Sequence, residues 1–556
     1  MAEGSGPVGS WDLALDGRDG TGHGIHAVAR GPVRFGSARV TPLGLPAATF
    51  HGDARLEVPP SAGLRGVDLT VAAWVNAAAK PTTVLGDVVS WFDPASRHGF
   101  TLGFEHGSPS GSHGNDRMPW FGADAGTTPR LTDHGRPGGA SVMVCSLAAF
   151  EGDLYAATWE GGPSPRGQVY RLRAATWEEC GSPWDANAVT RLAVHDGALH
   201  AGVSRIRAGG SALADSANQN PGGRVLRYAG NGHWTDLGQI EGADSITALV
   251  PFGGDLYAAP MYSEGLFRLE TPGRWTWCGS PGRRLLALGV HGGALYGAGN
   301  DHANPDSAIA LTKAGVVVPA RSNAGGGGVF RYDGSERWTA RGLQVDTTQL
   351  YSIETYGDRI HIGTWPTGRV FRAVDLDAPG EATWESIGRL GNETEIMNLG
   401  TYNGMLYGGT LPHAQIYRYD GDDDWAVVGT LDETPDALYR RAASMVVFGG
   451  ELFVGTLPSA HVHSMQTGAV ATGDRSLAPG WHHLAGVRRG RSVSLYVDGA
   501  HVATRESDAM SGRLAPRPDL PLVLGGGPRA GFEGDLAAVR LWERALDPGE
   551  VRTLAL

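Results

Sequence analysis

The sequence predicts an all-β protein in which a seven-bladed β-propeller is inserted into a β-sandwich. Three observations lead to this fold class. A unit of four short strands recurs through the middle of the 556-residue chain, the two ends share a different strand pattern, and glycine is in excess, at 85 residues. Short strands with aromatic residues, joined by glycine turns, are typical of all-β proteins.

The composition excludes several classes of protein. Apolar residues make up 41% of the chain, which is enough for buried cores, and this length requires more than one of them. The net charge of −12 disfavours nucleic acid and an anionic membrane surface as partners. No stretch is as long and apolar as a membrane-spanning helix.

The cysteines and the N-terminus bear on the compartment. Cys145, Cys180 and Cys278 match neither a disulfide framework nor a zinc pattern, so we expect buried free thiols in a reducing environment. The N-terminus has no basic region followed by an apolar run, as a signal peptide would. We therefore expect a cytoplasmic protein, or a secreted one if a leader is missing from this sequence. Only Lys80 and Lys313 of the 46 basic residues are lysine, which is typical of a GC-rich bacterial genome.

The central repeat predicts the propeller. Each copy has an apolar strand, a tight turn, an L-Y-A-G strand, a loop, a V-Y-R-Y strand and a tryptophan strand, which is the make-up of a propeller blade. Seven copies are found, and their turns lie at Gly152, Gly197, Gly254, Gly293, Asp358, Gly404 and Gly450.

The seventh copy lacks its tryptophan strand, and an upstream segment supplies it. Residues 130–135 read RLTDHG and match the HWTDLG that ends the second copy. We therefore expect the first strand of the propeller to complete the last blade. Such an overlap closes the ring and removes exposed sheet edges.

Two residue types recur at fixed positions of the repeat, and we interpret both as structural. The arginine of the third strand is expected to bridge neighbouring sheets, and the tryptophan of the fourth strand is expected to pack between blades. The arginines are Arg171, Arg227, Arg268, Arg331, Arg372 and Arg418, and the tryptophans are Trp177, Trp234, Trp275, Trp338, Trp384 and Trp425.

The two ends of the chain resemble a known family. The motifs are F-x-G-D at 50–53, A-W-V at 73–75, W-H-H-L-A-G-V at 481–487, L-Y-V-D-G at 495–499 and G-x-L-x-x-V-R-L-W at 534–542. Together and in this order they resemble the laminin-G-like, concanavalin A-like jelly-roll family. The resemblance covers residues 1–125 and 467–556, which leaves residues 126–466 for the propeller. The propeller repeat is similar to a degenerate kelch-type repeat, without the kelch double glycine.

The sandwich family implies binding of glycans or proteins, through calcium in some members. Candidate loop residues are Asp16, Asp19 and His23 near the N-terminus, and Glu105, His106, His113, Asn115 and Asp116 before the propeller. No contiguous EF-hand string is present. Calcium is therefore an optional ligand, and the other interpretation is that these are solvated loop residues.

In the propeller, function is expected where the blades differ. An alignment of the first strands on their turns predicts that Arg191, Glu354 and Asn398 face the central channel among small residues. Arg191 and Glu354 could instead form an ion pair. Two long loops, 204–223 and 300–328, lie at equivalent positions of their blades. They mark one face of the ring as the binding face.

Loop residues on this face suit a sugar acid. Aromatic rings stack on pyranose faces, and arginine binds a carboxylate through two parallel hydrogen bonds. The predicted substrate-binding residues are the three channel residues and five loop residues. The loop residues are Trp159, Arg205, Tyr262, His302 and Trp365. An ordinary polar propeller surface is the alternative.

The predicted catalytic residues lie in the sixth and seventh copies. Arg441 would hold a substrate carboxylate, and Tyr439, His413 or His461 would supply a base and an acid. Because β-elimination from a uronic-acid glycan needs these groups and no cofactor, the sequence favours a polysaccharide lyase acting on a polysaccharide or oligosaccharide. A glycoside hydrolase comes second, and the alternative is a non-catalytic glycan- or protein-binding module. No metal ligand is assigned.

Overall fold

The computed structural model describes residues 6–60, 67–105, 117–207, 213–300, 327–343 and 349–556. In these ranges the chain forms 43 strands and one short helix. The fold class is therefore all-β, as the sequence predicts. Within the same ranges, no helix is long and apolar enough to cross a bilayer. Cys145, Cys180 and Cys278 are buried free thiols, as expected.

The N-terminal part of the chain forms nine strands. They are β1 (Gly9–Trp11), β2 (Val28–Arg30), β3 (Arg34–Phe35), β4 (Ala48–Phe50), β5 (Arg55–Val58), β6 (Leu69–Ala77), β7 (Asp87–Asp93), β8 (His98–Glu105) and β9 (Met118–Ala125).

The middle of the chain forms 28 strands in a ring, one of which precedes the first blade. They are β10 (Arg130–Asp133); β11 (Ser141–Phe150), β12 (Asp153–Glu160), β13 (Val169–Arg173) and β14 (Thr176–Glu179); β15 (Ala188–His195), β16 (Ala198–Ser204), β17 (Arg224–Gly230) and β18 (His233–Gln239); β19 (Ile246–Phe252), β20 (Asp255–Pro260), β21 (Phe267–Thr271) and β22 (Arg274–Trp277); β23 (Arg284–His291), β24 (Ala294–Asn300), β25 (Gly328–Gly334) and β26 (Arg337–Ala340); β27 (Gln349–Tyr356), β28 (Arg359–Trp365), β29 (Arg369–Asp375) and β30 (Thr383–Arg389); β31 (Glu395–Tyr402), β32 (Met405–Leu411), β33 (Gln415–Gly421) and β34 (Asp424–Thr430); β35 (Arg441–Phe448), β36 (Glu451–Leu457) and β37 (Val462–Gln466).

The C-terminal part returns to the sandwich. It forms β38 (Ala469–Thr472), β39 (His482–Arg489), β40 (Ser492–Val497), β41 (Ala500–Glu506), β42 (Leu522–Leu524), β43 (Gly534–Trp542) and helix α1 (Pro548–Leu554). One sheet has the order β3-β4-β43-β6-β39-β40-β41, with β1 also paired to β43, and the other has the order β2-β5-β42-β7-β8-β9-β38. Both ends of the chain therefore contribute strands to both sheets. Phe50, Phe100, Phe121 and Phe532 are fully buried in the core between them.

The ring is built from antiparallel four-stranded units whose first strands surround a common axis. The strands β11, β15, β19, β23, β27, β31 and β35 contact one another in cyclic order, and β35 contacts β11. This propeller-like arrangement agrees with the repeat in the sequence.

The number of separate blades differs from the sequence prediction. The structure has five separate four-stranded sheets in the ring, not seven, and one eight-stranded sheet that contains β11–β14 and β15–β18. The two units merge because Trp159 of β12 pairs with Ala188 of β15, which continues the strand ladder across what would be a blade boundary.

The predicted closing strand is present. The strand β10 pairs antiparallel with β37, from Arg130 opposite Gln466 to Asp133 opposite His463. The N-terminal strand of the ring thus completes the last sheet, β10-β37-β36-β35. It gives the outer edge of that sheet the fourth strand that the seventh repeat lacks.

The recurring tryptophans join neighbouring units, as expected. Each indole N–H donates a hydrogen bond of 2.7–3.2 Å to a backbone carbonyl of the preceding unit. Trp425, for example, donates to the carbonyl of Ile387. The bond from Trp177 reaches the carbonyl of His134, directly after β10, and so closes the cycle.

In the described residues, the ion pairs of the recurring arginines do not bridge neighbouring sheets, so that expectation is wrong for five of the six. Five of the six form ion pairs with carboxylates of their own four-stranded unit, such as Arg418 with Asp420 and Arg331 with Asp333. The carboxylates come from adjacent strands or from two residues along the same strand, where the side chains share a face. Such partly exposed pairs contribute little to stability.

The sandwich covers the face of the ring that carries the tight turns. Gly253 N–H donates to the carbonyl of Pro81, and Gly531 N–H donates to the carboxylate of Asp358 at 2.6 Å. At Gly404, where φ is 78°, an added Cβ would lie 2.8 Å from the ring of Phe92. One face of the ring is thereby docked, so the opposite face is the one available to a large ligand.

The tryptophan bonds between blades can be tested at Trp425. We expect Trp425→Phe to lower the free energy of unfolding by about 1–2 kcal/mol, because it removes the bond to Ile387 and leaves a smaller ring in a buried site. The matched control is Trp277→Phe, since Trp277 lies outside the recurring series and is 40% exposed. Chemical denaturation measures both, and equal losses would contradict the structural role.

Candidate functional site

Each first strand of the ring carries the same irregularity near its start. After the first, second or third paired residue the register shifts by one, so that one extra residue is inserted in the first strand, and β11 has a further shift at Val142. Such β-bulges redirect a side chain out of the regular alternation. The inserted residues are Cys145, Thr190, Thr247, Leu286, Tyr351, Met397 and Ala443.

Tyr351 differs from the other inserted residues because charged side chains from several units of the ring act on its hydroxyl. Its hydroxyl donates a hydrogen bond to Oε1 of Gln349. Burial raises the pKa of Tyr351, the negative charge of Glu395 acts in the same direction, and the guanidinium groups of Arg441 and Arg284 oppose it. These groups come from four different units of the ring, so Tyr351 lies near the axis.

We call Arg284, Gln349, Tyr351, Glu395 and Arg441 the axial cluster. Four of them are the first residues of β23, β27, β31 and β35, where the first strands begin at the open face. The first strands of the other three units begin with small or apolar residues, Ser141, Ala188 and Ile246. Charge is thus concentrated on one side of the channel mouth.

Glu395 is the group in this cluster best suited to proton transfer. Glu395 is only 3% exposed. Within the described part of the chain, no hydrogen-bond donor contacts its Oε1. Burial raises the pKa of Glu395 to about 7, although the positive charge of Arg441 opposes the shift. A carboxyl group with a pKa near 7 exchanges protons readily at neutral pH.

A polar rim adjoins the axial cluster. The guanidinium of Arg207 lies 4.5 Å from the centroid of the Tyr262 ring, and the Arg207 backbone N–H donates to the Tyr262 hydroxyl at 3.1 Å. Arg205 pairs with Asp244 at 2.5 Å. Burial raises the pKa of Tyr262, and the charge of Arg284 is among those that act on it. Arg205 and Tyr262 thus lie on the open face, where the sequence places them.

Trp159 is not the exposed stacking platform that the sequence suggests. It is 3% exposed and packs with Cys145, Ala188 and Leu457. The pairing with Ala188, which merges two units of the ring, is what buries it. Trp365 is half-buried and lies opposite Gln349 in the strand register, beside the axial cluster.

The residues expected to face the channel are buried. Arg191 donates to the carbonyl of Thr190 at 2.6 Å, and burial lowers its pKa to about 10. Asn398 is buried too. At the same position of the repeat, the Ser146 hydroxyl accepts from Leu192 N–H of the next unit, so this position faces the neighbouring strand. The extra residue of the bulge lies directly before this position, at Thr190 and at Met397.

Arg191 does not form the ion pair with Glu354 that the sequence allows. In the described residues, its side chain contacts the Thr190 carbonyl, and the charge that acts on it is that of Cys145. Glu354 is fully buried near the sandwich, where its charge helps raise the pKa of Glu105, which burial brings to about 8. Glu105 itself is buried at the end of β8 and pairs with Arg529 at 3.3 Å, so its interpretation as a solvated loop residue is wrong.

The predicted catalytic residues fall into different surroundings. Arg441 is in the axial cluster, and Tyr439 lies two residues before it, half-buried. His413 Nδ1 contacts Glu393 Oε1 at 2.5 Å, whereas His461 Nδ1 contacts Asp133 Oδ2 at 2.9 Å. Each histidine therefore has its own carboxylate partner. The predicted binding residue His302 lies outside the described residues.

The loops considered for calcium are only partly described. Asp19 accepts hydrogen bonds from Ser10 N–H, Thr21 N–H and the Thr21 hydroxyl, which satisfies its carboxylate without a cation. Asp16 pairs with Arg18. His106, His113, Asn115 and Asp116 lie outside the described residues.

Sequence reasoning missed Glu395, Tyr351, Gln349 and Arg284. The sequence did contain a signal for them. The residue at the start of the first strand varies between copies of the repeat, as do the residues at the aligned channel positions. Their chemistry depends on the bulge, which has no sequence signature in this repeat. Only the three-dimensional arrangement brings the strand starts of four units together.

Comparisons with known proteins support the sandwich. Residues 441–552 match a family model described as the concanavalin A-like lectin/glucanases superfamily. No curated protein matches the chain. Among solved structures, a gluconolactonase from Xanthomonas campestris is similar at 13% identity, over 61% of this chain and 95% of that one, with a TM-score of 0.31. So low a TM-score says nothing about the activity of the present chain.

The raised pKa of Glu395 predicts how stability changes with pH. Between its usual value of 4.5 and about 7, the folded state holds a proton that the unfolded state has released. The free energy of unfolding therefore falls as pH rises through this window. We therefore compare the free energies of unfolding of Glu395→Gln and wild type. We expect the difference to shift in favour of the variant by at most about 3 kcal/mol when the pH is raised from about 5 to about 8.

Denaturation curves of wild type and Glu395→Gln at the two pH values measure this difference. Glu105→Gln is the matched control, because burial also raises the pKa of Glu105 but the residue lies at the sandwich. It should show the same sign of stability change without affecting ligand binding at the open face. A stability difference that does not vary with pH would show that Glu395 is ionised at neutral pH.

Because Trp159 is buried, its replacement should lower the stability of the fold, whereas replacement of an exposed stacking residue would leave stability almost unchanged. We expect Trp159→Ala to lower the free energy of unfolding by about 3–5 kcal/mol, because it leaves a cavity among Cys145, Ala188 and Leu457. Trp277→Ala, at a 40% exposed position, should cost far less. A melting temperature of Trp159→Ala close to that of wild type would place the side chain at the surface.

Proposed function

We propose that this protein is a carbohydrate-active enzyme that binds a uronic-acid-containing glycan at the open face of the ring and cleaves it by β-elimination. The observation that carries the proposal is Glu395, a buried carboxyl group with a pKa near 7 beside Arg441 and Tyr351. The match of residues 441–552 to a lectin and glucanase superfamily supports a carbohydrate ligand.

We further propose that the ring is a seven-bladed, kelch-like propeller. The eight-stranded sheet counts as two blades, because in the described residues a single ladder pair, Trp159 with Ala188, links the strands of its two halves. The cyclic contacts of the seven first strands support this count. In a ring of this kind, the first strands converge at the channel mouth, where the axial cluster lies.

The axial cluster offers the groups that β-elimination requires. Arg441 would pair with the substrate carboxylate, which makes the neighbouring C5 proton more acidic. The ionised Glu395 would take that proton as the C4–C5 double bond forms. Tyr351, kept protonated by its raised pKa and oriented by Gln349, would donate its proton to the oxygen that leaves C4. Glu395 then releases the C5 proton to solvent and Tyr351 takes a proton from solvent, which restores both groups without a cofactor.

The assignment of proton transfer to Tyr439, His413 or His461 remains a competing prediction. His413 has Glu393 as a partner, which would orient its ring, and Tyr439 lies close to Arg441 in sequence. Trp365, Tyr262 and Arg205 would bind flanking sugars at the rim, by stacking and by charge.

A non-catalytic glycan-binding module is the second candidate. The family match favours it, because that superfamily includes lectins by its own description. The two candidates differ in a single observable property, since only a lyase creates an unsaturated uronate at the new chain end.

Turnover on uronate polysaccharides, followed by ultraviolet absorbance of the unsaturated product, tests the proposal. We expect Glu395→Gln and Tyr351→Phe each to reduce kcat by about 10²–10⁴-fold, because each removes a positioned proton-transfer group. Arg441→Lys should also be impaired, since lysine keeps the charge but loses the planar fork. A substrate with reduced carboxyl groups should not be cleaved.

Arg418→Lys is the control, because Arg418 lies on the outer strand β33 and pairs with Asp420, away from the axis. It should retain wild-type turnover. If wild type binds uronate glycans without forming unsaturated product, the binding module is correct. If His413→Ala or Tyr439→Phe abolishes turnover while Glu395→Gln does not, the proton-transfer role belongs to the sequence-based set.

A further inference from the structure

Three potential metal ligands meet where the ring closes. Asp133, His461 and His463 each offer one ligand atom, and these atoms all lie within 4.8 Å of one another. We call these residues the seam triad. It shares no residue with the axial cluster, and only the competing assignment of proton transfer to His461 involves one of its members.

The strand register of the closure builds the triad. Asp133 of β10 lies directly opposite His463 of β37. His461 is two residues before His463, so both imidazoles fall on the same side of the chain. The two rings are stacked, with centroids 6.1 Å apart and an interplanar angle of 28°.

The contacts of the triad leave ligand atoms available. His461 Nδ1 lies 2.9 Å from Asp133 Oδ2, while Asp133 Oδ1 also accepts from Gly135 N–H at 2.8 Å, which fixes the carboxylate. His463 Nε2 is shielded from solvent, and no hydrogen-bond partner is found for it in the described ranges. A shielded imidazole nitrogen without a partner is unfavourable unless something binds it.

We propose that the seam triad binds a divalent transition-metal ion of the Zn²⁺ class. Two imidazole nitrogens and one carboxylate oxygen are the ligands that such an ion takes, and a water molecule would complete a tetrahedral set. Asp133 and His461 are partly exposed, so the ion reaches the site from solvent. The hydrogen bond between Gly135 and Asp133 supports the carboxylate in the way that outer ligands of metal sites do.

The position of the triad gives the ion a structural role. Asp133 belongs to the first strand of the ring, and the two histidines are at its last strand; His461 is 328 residues away from Asp133 in sequence. A bound ion therefore connects the two ends of the propeller. Because the unfolded chain cannot present these ligands together, binding stabilises the closed ring.

Titration of the metal-free full-length protein with Zn²⁺ tests the proposal. We expect saturable binding of one ion per chain by calorimetry, and a melting temperature that rises with Zn²⁺ concentration. Co²⁺ should give the intense visible absorbance of a tetrahedral site. Asp133→Asn and His463→Ala should each lose all three effects, and Asp133→Asn remains informative if His463→Ala fails to fold.

The matched control is His233→Ala, since His233 is an exposed histidine on β18, an outer strand equivalent to β10. It should keep the binding and the shift in melting temperature. Glu395→Gln should also bind Zn²⁺ normally, which separates this inference from the proposed activity. The proposal is overturned if wild type shows no saturable binding, or if both triad variants bind Zn²⁺ as wild type does.

Discussion

The pairing of β10 with β37 is the constraint on which the rest of the structure depends. A ring of sheets is stable only if its last unit is complete, because an open unit would leave strand edges and apolar faces exposed. The hydrogen bond of Trp177 to the carbonyl of His134 then joins the first full unit to this closing strand. Each further tryptophan bond depends on the same cyclic arrangement.

Closure also explains how the ring fits into the sandwich. The chain leaves the sandwich at Ala125 and returns at Ala469, and the strands that flank the ring, β9 and β38, are paired with each other. The two ends of the ring must therefore lie side by side, which closure guarantees. The turn face is held against the sandwich by backbone hydrogen bonds and by Phe92. A single open face remains, and the axial cluster lies at its centre.

Charge is distributed unequally between the outer and the inner strands. The outer arginines pair with carboxylates near solvent, where such pairs add little stability. At the axis, burial raises the pKa of Glu395, so that keeping this carboxyl group lowers stability at neutral and higher pH. A buried acidic group that lowers stability is typical of a functional site, and this is why the proposed function rests on it.

The sequence alone determined the all-β class, the repeated unit, the closing segment 130–135 and the inter-blade position of the tryptophans, because each follows from local strand patterns. Only the tertiary structure decided that Trp159 is buried and that two units share one sheet. It also decided that Arg284, Tyr351, Glu395 and Arg441 meet at the axis, and that Asp133 meets His461 and His463. These contacts join residues of different blades, and their geometry depends on the bulges and on the curvature of the closed ring, which no local pattern encodes.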